Sequence, residues 1–526
     1  MLQLRNQIKL ASRTLLNNQV YYAARCMSDD SKDKKDKQLF NFDFNPNVEN
    51  PFKRTGRILK NDFIRAKHWI EDLFQEDPKQ KKYKMPLDRI DAFIENREDV
   101  RIFQTHCDIL IIGGGGMGAA IAYWIKQKAH HGLNVVVLEK DPTYSEASTP
   151  LSVGGLRQQF SLPENIQMSL YGAEFIRKAK EYLGDNVELN FQPYGYLTLA
   201  TEEGADTLRA NSRLQNELGA KNEILTAKKL KEKFPWLNTD GIALGCHGLE
   251  KEGWFDPWAL LCGLKKKALD LGAHFIHGEA IDFEFKQQRE MYVEGVEFGK
   301  YETVDRVLAR LPNGEIQPIK FAMCIIAAGH NSGKVAEMAR IGKGEGILSV
   351  PLPIEPRKRY VYVFECDEKK HTGAQLNTPL VIDPSNVYFR REGLSGCYIG
   401  GRSPESVEKE PLIDNLDVDY EYFDTDVWPH LAHRVPKFEA IKVKSGWAGY
   451  YEYNRFDENG IIGLHPYYHN LYIASGFSGH GIQQCPAVGR AIAELIIDGG
   501  FLEIDLTRLG FDRIIVDQPM MELNIV

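Results

Sequence analysis

The hydrophobic pattern changes character at Cys107. Upstream, Gly56–Phe74 places Ile58, Phe63, Ile64, Trp69, Ile70 and Leu73 at helical spacing, and Leu87–Phe93 repeats this around Ile90. Pro78 and the run KQKKYK interrupt the two, which predicts that 29–104 is a charged spacer, DDSKDKKDKQL, followed by an arm of short helices. From Asp108 the chain is continuously apolar, which predicts a buried strand over Asp108–Ile112. A glycine cluster, a helix over Ala119–Lys128 and a second strand over Asn134–Leu138 follow, ending in Glu139. Lys140–Phe160 is a Ser/Thr/Gly-rich loop, and a helix starts near Pro163. Lys320–Gly329 predicts a strand ending in Ala-Ala-Gly, and Asn470–Ser475 a strand running into Gly476–Gly481. A last helix spans Gln483–Ile497, and RYVYVFE and VYFRRE alternate as strands do.

Strand, G-x-G-x-x-G, helix, strand and acid in this order form a nucleotide site. Gly113 permits the tight turn, Gly115 lets the backbone approach a pyrophosphate, and Gly118 lets helix and strand pack closely. The helix N-terminus offers free N–H groups to the phosphates. Glu139 accepts from an adenosine ribose and disfavours a 2′-phosphate. Cys107–Ile125 is long enough to imitate a membrane span, but its glycines and strand pattern argue against one. The fold expected is α/β: a Rossmann-type domain assembled from early, middle and late segments, with an intertwined antiparallel-sheet α+β substrate domain.

Charge excludes one class of partner. The 526 residues carry 65 basic and 73 acidic side chains, net −8, with no electrostatic footprint for nucleic acid. The eight cysteines show no zinc-ligand spacing, so no metal is expected and a reducing compartment is. Residues 1–28 differ: Arg5, Lys9, Arg13 and Arg25 accompany Leu2, Leu4, Ile8, Leu15 and Leu16, with no acid before Asp29. Basic, amphipathic and acid-free, this segment predicts a mitochondrial transit peptide.

Several motifs in order, GGGGMG with Glu139, STPLSVGGLRQQF, GWFDPWALL, the Ala-Ala-Gly strand end, CYIGGR and FDENGIIGLHP…ASGFSGHG, resemble one family over about residues 105–500. It is the FAD-dependent amine oxidoreductases of the D-amino-acid oxidase, sarcosine and dimethylglycine dehydrogenase type. More narrowly, ASTPLSVGG, FSLPENIQ, GWFDPW, EPRKRYVYV, YFRREG and WAGYYEYN are similar to a mitochondrial branch tied to assembly of respiratory complex I. The resemblance implies that Gly113, Gly115, Gly118 and Glu139 hold the ADP half of FAD. Lys140, Ser148, Thr149, Gly154 and Gly155 would wrap the pyrophosphate and ribityl region, and Ala328 and Gly329 would meet the nucleotide again. Gly476, Ser478, Gly479, His480, Gly481, Ile482 and Gln483 would lie against the pyrimidine end of the flavin.

Departures from the family refine this. Ser148-Thr149 and Trp447–Tyr451 lack the His and Cys through which some members attach the flavin, so non-covalent FAD is expected. Tyr398 and Arg402 occupy the strand that carries an oxygen-activating Lys in sarcosine oxidases, which weakens an oxidase reading. Of the family's substrate-carboxylate pair, Arg157 matches the Arg, but Gln483 replaces the Lys. Catalytic candidates are Arg157, His480, Tyr388 and Arg390; His480 reads more readily as a structural imidazole than as a base. Alternation pairs Tyr360 with Tyr362 and Tyr388 with Arg390 on common faces, an expected floor for a substrate cavity. Asp256 and Pro257 read as the cap and first turn of a helix. His465 and His469 show no ligand geometry.

The expected layout is a FAD domain over 105–190, 251–345 and 446–500, a substrate domain over 191–250 and 346–445, and a C-terminal tail over 501–526. Two functions follow from the resemblance. One is assembly or stabilisation of complex I, with complex I subunits or assembly intermediates as partners in the matrix, in peripheral contact with the inner membrane. The other is a matrix dehydrogenase oxidising the C–N bond of a small amine or N-methyl amino acid and passing electrons to an acceptor protein.

Overall fold

Leu110 and Ile112 point to one side of the strand Ile109–Ile112 and Ile109 and Ile111 to the other, and both sides are buried. A strand apolar on both faces belongs inside a covered parallel sheet, and that is its position in the computed structural model. The structure describes residues 103–523, apart from 131, 292, 294, 295, 367–373, 394 and 395. The transit segment and nearly all of the 29–104 arm lie outside the described residues.

Among the described residues the first sheet has six strands, in the order Ile461–Leu464, Leu471–Ser475, Met323–Ile326, Ile109–Ile112, Val135–Glu139 and His274–His277. Its pairings are parallel except at the Ile461–Leu464 edge. Val135 and Val137 join Ile109 and Ile111 in packing on Gly116–Ala129, Pro257–Asp270 and Gly481–Ile497. Val136 and Leu138 join Leu110 and Ile112 beneath an antiparallel sheet of Glu279–Gln287, Glu302–Arg310 and Ile316–Lys320. The fold is thus α/β of Rossmann type, gathered from distant segments as the sequence predicts.

The second sheet has eight described strands, ordered Ile441–Asn454, Ile354–Cys366, Cys397–Arg402, Val387–Glu392, Leu380–Ile382, Tyr196–Ala200, Leu244–Gly248 and Asn222–Thr226. It is antiparallel apart from the pairing of Leu380–Ile382 with Tyr196–Ala200. Its edge strand Ile441–Asn454 runs to the first sheet, where Asn454 N–H donates to Ser478 Oγ at 3.0 Å.

Three boundaries move. The first helix begins at Gly116, because its glycines already take the first turn. The middle strand ends at Ile326 and gives way to a 3-10 turn, Gly329–Asn331. The last helix begins at Gly481. The C-terminal segment is also tied down. Arg513 pairs with buried Asp457 at 2.7 Å, and Glu522 accepts from the Ser161 and Leu162 N–H groups that open the helix Pro163–Arg177.

Candidate functional site

At the first turn, three glycines lack side chains for three reasons. Gly113 has φ +101°, and a Cβ there would lie 2.3 Å from Ala327 O. A Cβ on Gly118 would lie 1.9 Å from Gly113 O. One on Gly115 would meet nothing nearer than Thr149 Oγ1 at 3.5 Å. The space at Gly115 is therefore not used by the protein, and it opens into a cavity of about 410 Å³. Glu139 lines the same end, held there by N–H donation from Gly114 at 2.6 Å and Asp141 at 2.9 Å. A strand-end carboxylate, a helix N-terminus and an unfilled glycine face in one cavity fit an adenosine dinucleotide.

The loop residues divide. Lys140, Ser148, Thr149 and Gly155 line the cavity. Thr149 Oγ1 accepts from Gly116 N–H at 3.0 Å, and Ser148 Oγ donates to Tyr450 O at 2.6 Å, which fixes the loop against two elements. Gly154 does not line it. At φ +72°, its Cβ would sit 2.0 Å from Phe255 O, so close backbone packing is what it permits. Gly155 likewise makes room for Tyr196 Oη. Ala328 and Gly329 close the cavity from the middle strand.

Gly479, His480, Gly481, Ile482 and Gln483 also line the cavity, at the N-terminus of Gly481–Ile497, whose first-turn N–H groups carry positive dipole. Gly476 and Ser478 stand behind them. Ser478, at φ +45°, is locked by its Oγ to Asn454 N–H and by its own N–H to Glu452 O. The arrangement suits a ring that becomes negatively charged on reduction.

Arg157 is 6% exposed and reaches the cavity beside this helix start. Its Nη2 donates to His480 Nε2 at 2.8 Å, and its guanidinium lies 5.1 Å from the centre of the Phe160 ring. Because arginine only donates, His480 Nε2 is the acceptor and the ring proton sits on Nδ1. Burial, and then Arg157, push the His480 pKa down to about 3. Neutral and with its lone pair occupied, His480 orients Arg157 and is not placed as a base. Gln483 Oε1 accepts from Arg157 N–H at 2.7 Å, so it fixes the arginine's backbone.

The structure parts the pairs that alternation groups. Tyr360 and Tyr388 line the cavity; burial raises the Tyr388 hydroxyl to about 12. Tyr362 is turned into the core and donates to Asp419 O. Arg390 does not reach the cavity: Val153 O at 3.1 Å, Glu392 and the Trp254 face hold it. That removes Arg390 from the catalytic candidates, because a buried guanidinium engaged on three sides has nothing left to face a substrate. Arg402 lines the cavity, whereas Tyr398 donates to Ala374 O at 2.7 Å inside the core. Asp256 caps Pro257–Asp270 by accepting from Ala259 N–H at 3.0 Å. Among the described residues no His, Cys, Asp and Glu group has metal-ligand geometry.

Sequence reasoning missed Glu452, Tyr451 and Arg359. Glu452 lines the cavity, accepts from Ser475 Oγ at 2.9 Å and Gly476 N–H at 3.2 Å, and is pushed up by burial. The lone acid of WAGYYEYN was its only signal. Arg359 is one of three bases in RKR, and nothing local tells which of them faces inward.

A family model described as FAD dependent oxidoreductase matches residues 108–495. The FAD-dependent oxidoreductase domain-containing protein 1 homolog of Drosophila melanogaster is 51% identical over 483 residues, 90% of this chain and 92% of that one. Monomeric sarcosine oxidase of Bacillus sp. (strain B-0618) is 26% identical over 434 residues, 80% of this chain and 100% of that one. Among solved structures, L-proline dehydrogenase from P. horikoshii aligns with a TM-score of 0.64 at 25% identity, covering 80% of this chain and 100% of that one.

Proposed function

This chain belongs to the FAD dependent oxidoreductase family, and from that premise we propose that it oxidises the C–N bond of a small amine that carries a carboxylate. FAD, when bound, supplies the two-electron acceptor. The ADP half would lie along Gly115 and Glu139, and the flavin end at Gly479–Gln483. Arg157 is the observation that carries the proposal: a buried arginine whose guanidinium is held by His480 and whose backbone N–H is held by Gln483, beside the helix N-terminus that lines the cavity. It binds and orients the carboxylate, Tyr360 and Tyr388 exclude water, and the helix N–H groups stabilise negative charge. An acceptor protein, not oxygen, takes the electrons onward, in keeping with Tyr398 and Arg402 where sarcosine oxidases have an oxygen-activating lysine.

The test is anaerobic bleaching of the purified flavoprotein by amines matched with their decarboxylated counterparts. Bleaching confined to carboxylate-bearing members is expected. Equal bleaching by the decarboxylated amines, or none by any amine, would overturn the proposal.

Gln483 favours a second task. With its side-chain oxygen spent on Arg157 N–H, it supplies no second charge, so sarcosine and dimethylglycine should turn over poorly. This favours, as the second reading, a role in assembly of respiratory complex I, in the mitochondrial matrix against the inner membrane. Cells lacking the protein, scored by complex I activity, distinguish the two. Rescue by folded, FAD-loaded Arg157→Ala is the expected result for assembly; failure to rescue leaves the oxidoreductase reaction as the required function.

A further inference from the structure

Residues 157–162 run between the strand Gly155–Leu156 and the helix Pro163–Arg177, with neither a ladder nor a helix to satisfy their backbone. Buried N–H groups must find partners elsewhere, and here side chains from distant elements supply them. Gln483 Oε1 takes Arg157 N–H at 2.7 Å, and Glu252 takes Gln158 N–H at 2.8 Å. Glu522 takes Ser161 N–H at 2.5 Å and Leu162 N–H at 3.2 Å. The conformation that aims Arg157 is therefore set from outside its own segment.

Glu522 reaches further than a helix cap requires. Its Oε2 also accepts from the Ser161 hydroxyl at 2.5 Å, and Ser161 Oγ in turn accepts from Leu523 N–H at 2.8 Å. Its Oε1 accepts from Asn165 Nδ2 at 2.6 Å, and Asn165 Oδ1 accepts from Gln484 Nε2 at 3.1 Å. Gln484 lies in the first turn of Gly481–Ile497, next to Gln483. Phe160, the neighbour of Ser161, has the Arg157 guanidinium 5.1 Å from its ring centre and the His480 ring edge-on at 5.1 Å. One carboxylate thus ties the residue beside Phe160 to the helix start that carries His480. Burial pushes the Arg157 guanidinium down, and Tyr196, Glu522 and Glu252 are the neighbours that oppose this most. Neither acid lines the cavity.

We propose that Glu522 is a positioning residue for substrate binding: from the C-terminal segment it fixes Ser161 and Asn165, and through them the Phe160 ring and the helix start between which Arg157 is held toward the cavity. It acts through Arg157 and not by contact with the substrate. This rests on the carboxylate-amine reading above and deepens it, because it gives the C-terminal segment a part in recognising the carboxylate.

The sign of the effect is diagnostic. If Glu522 acted only as a negative charge near Arg157, removing it would relieve repulsion of the incoming carboxylate and tighten binding. If it holds Arg157 in place, removing it weakens binding, by about tenfold for a coupling of ordinary size.

The probes are acetate and benzoate, which cannot be oxidised here, titrated into the FAD-loaded full chain with perturbation of the flavin absorbance as the readout. Glu522→Ala should raise their dissociation constants about tenfold. Glu522→Gln, which keeps an oxygen to accept from Ser161 N–H, should retain part of the affinity. The deciding comparison repeats Glu522→Ala in an Arg157→Met background, where it should add nothing, since the group it positions is gone. Three results overturn the proposal and leave the carboxylate-amine reading standing: unchanged binding with only a lowered denaturation midpoint, tighter binding, or equal weakening in both backgrounds. If neither probe perturbs the flavin, or Arg157→Met binds them like the wild type, that reading fails first and this one with it. Should Glu522→Ala fail to load FAD, Glu522→Gln in the two backgrounds decides between the same outcomes.

Discussion

Gly115 and Gly118 stand three residues apart in one motif, yet they should fail differently. A side chain at Gly118 collides with the Gly113 carbonyl, so Gly118→Ala should destabilise the fold itself. At Gly115 the backbone has an ordinary φ of −64° and the nearest protein atom is 3.5 Å from a Cβ. Gly115→Val should therefore leave the apoprotein folded and lose FAD, because the side chain occupies the path of the pyrophosphate. FAD released by acid precipitation, measured beside the denaturation midpoint of apoprotein, checks both. Full occupancy in Gly115→Val would remove the assignment of that turn. These glycines were legible because their partners lie within a few residues or on the next strand. Glu452 and Arg359 were not, since each acquires its role from an element distant in sequence: Ser475 and Gly476 for one, Glu410 for the other.

At the scale of elements, what period reveals and what it hides are both visible in the second sheet. Alternation does place Tyr388 and Arg390 on one side of Val387–Glu392. Which of them meets the cavity depends on the neighbouring strand, where Gly401 pairs with Tyr388. A Cβ on Gly401 would lie 2.8 Å from Tyr388 Oη, so the tyrosine occupies volume that the glycine vacates. Two residues on, Arg390 meets Val153 O and the Trp254 ring instead. Such choices are made by sheet register, which no single strand's sequence contains. The first sheet was easier to read, because strands buried on both faces are uniformly apolar and need no decision about which face is which.

Across the whole molecule, the cavity takes its nucleotide end from the parallel sheet and its far wall from the antiparallel one, and Ile441–Asn454 connects them. Arg157 meets His480 and Gln483 across 323 and 326 residues of chain. That assembly gives one buried cation a fixed direction beside a helix N-terminus. It also predicts a particular kinetic signature, because Arg157 is assigned to binding and orientation. The direct test is stopped-flow anaerobic reduction of the bound flavin by a carboxylate-bearing amine, comparing wild type with Arg157→Met. Loss of one charge-assisted contact should raise the substrate dissociation constant about 10- to 100-fold, with the larger share of the change in binding and the smaller in the limiting rate. An Arg157→Met protein, folded and FAD-loaded, that binds and reduces like the wild type would contradict the account.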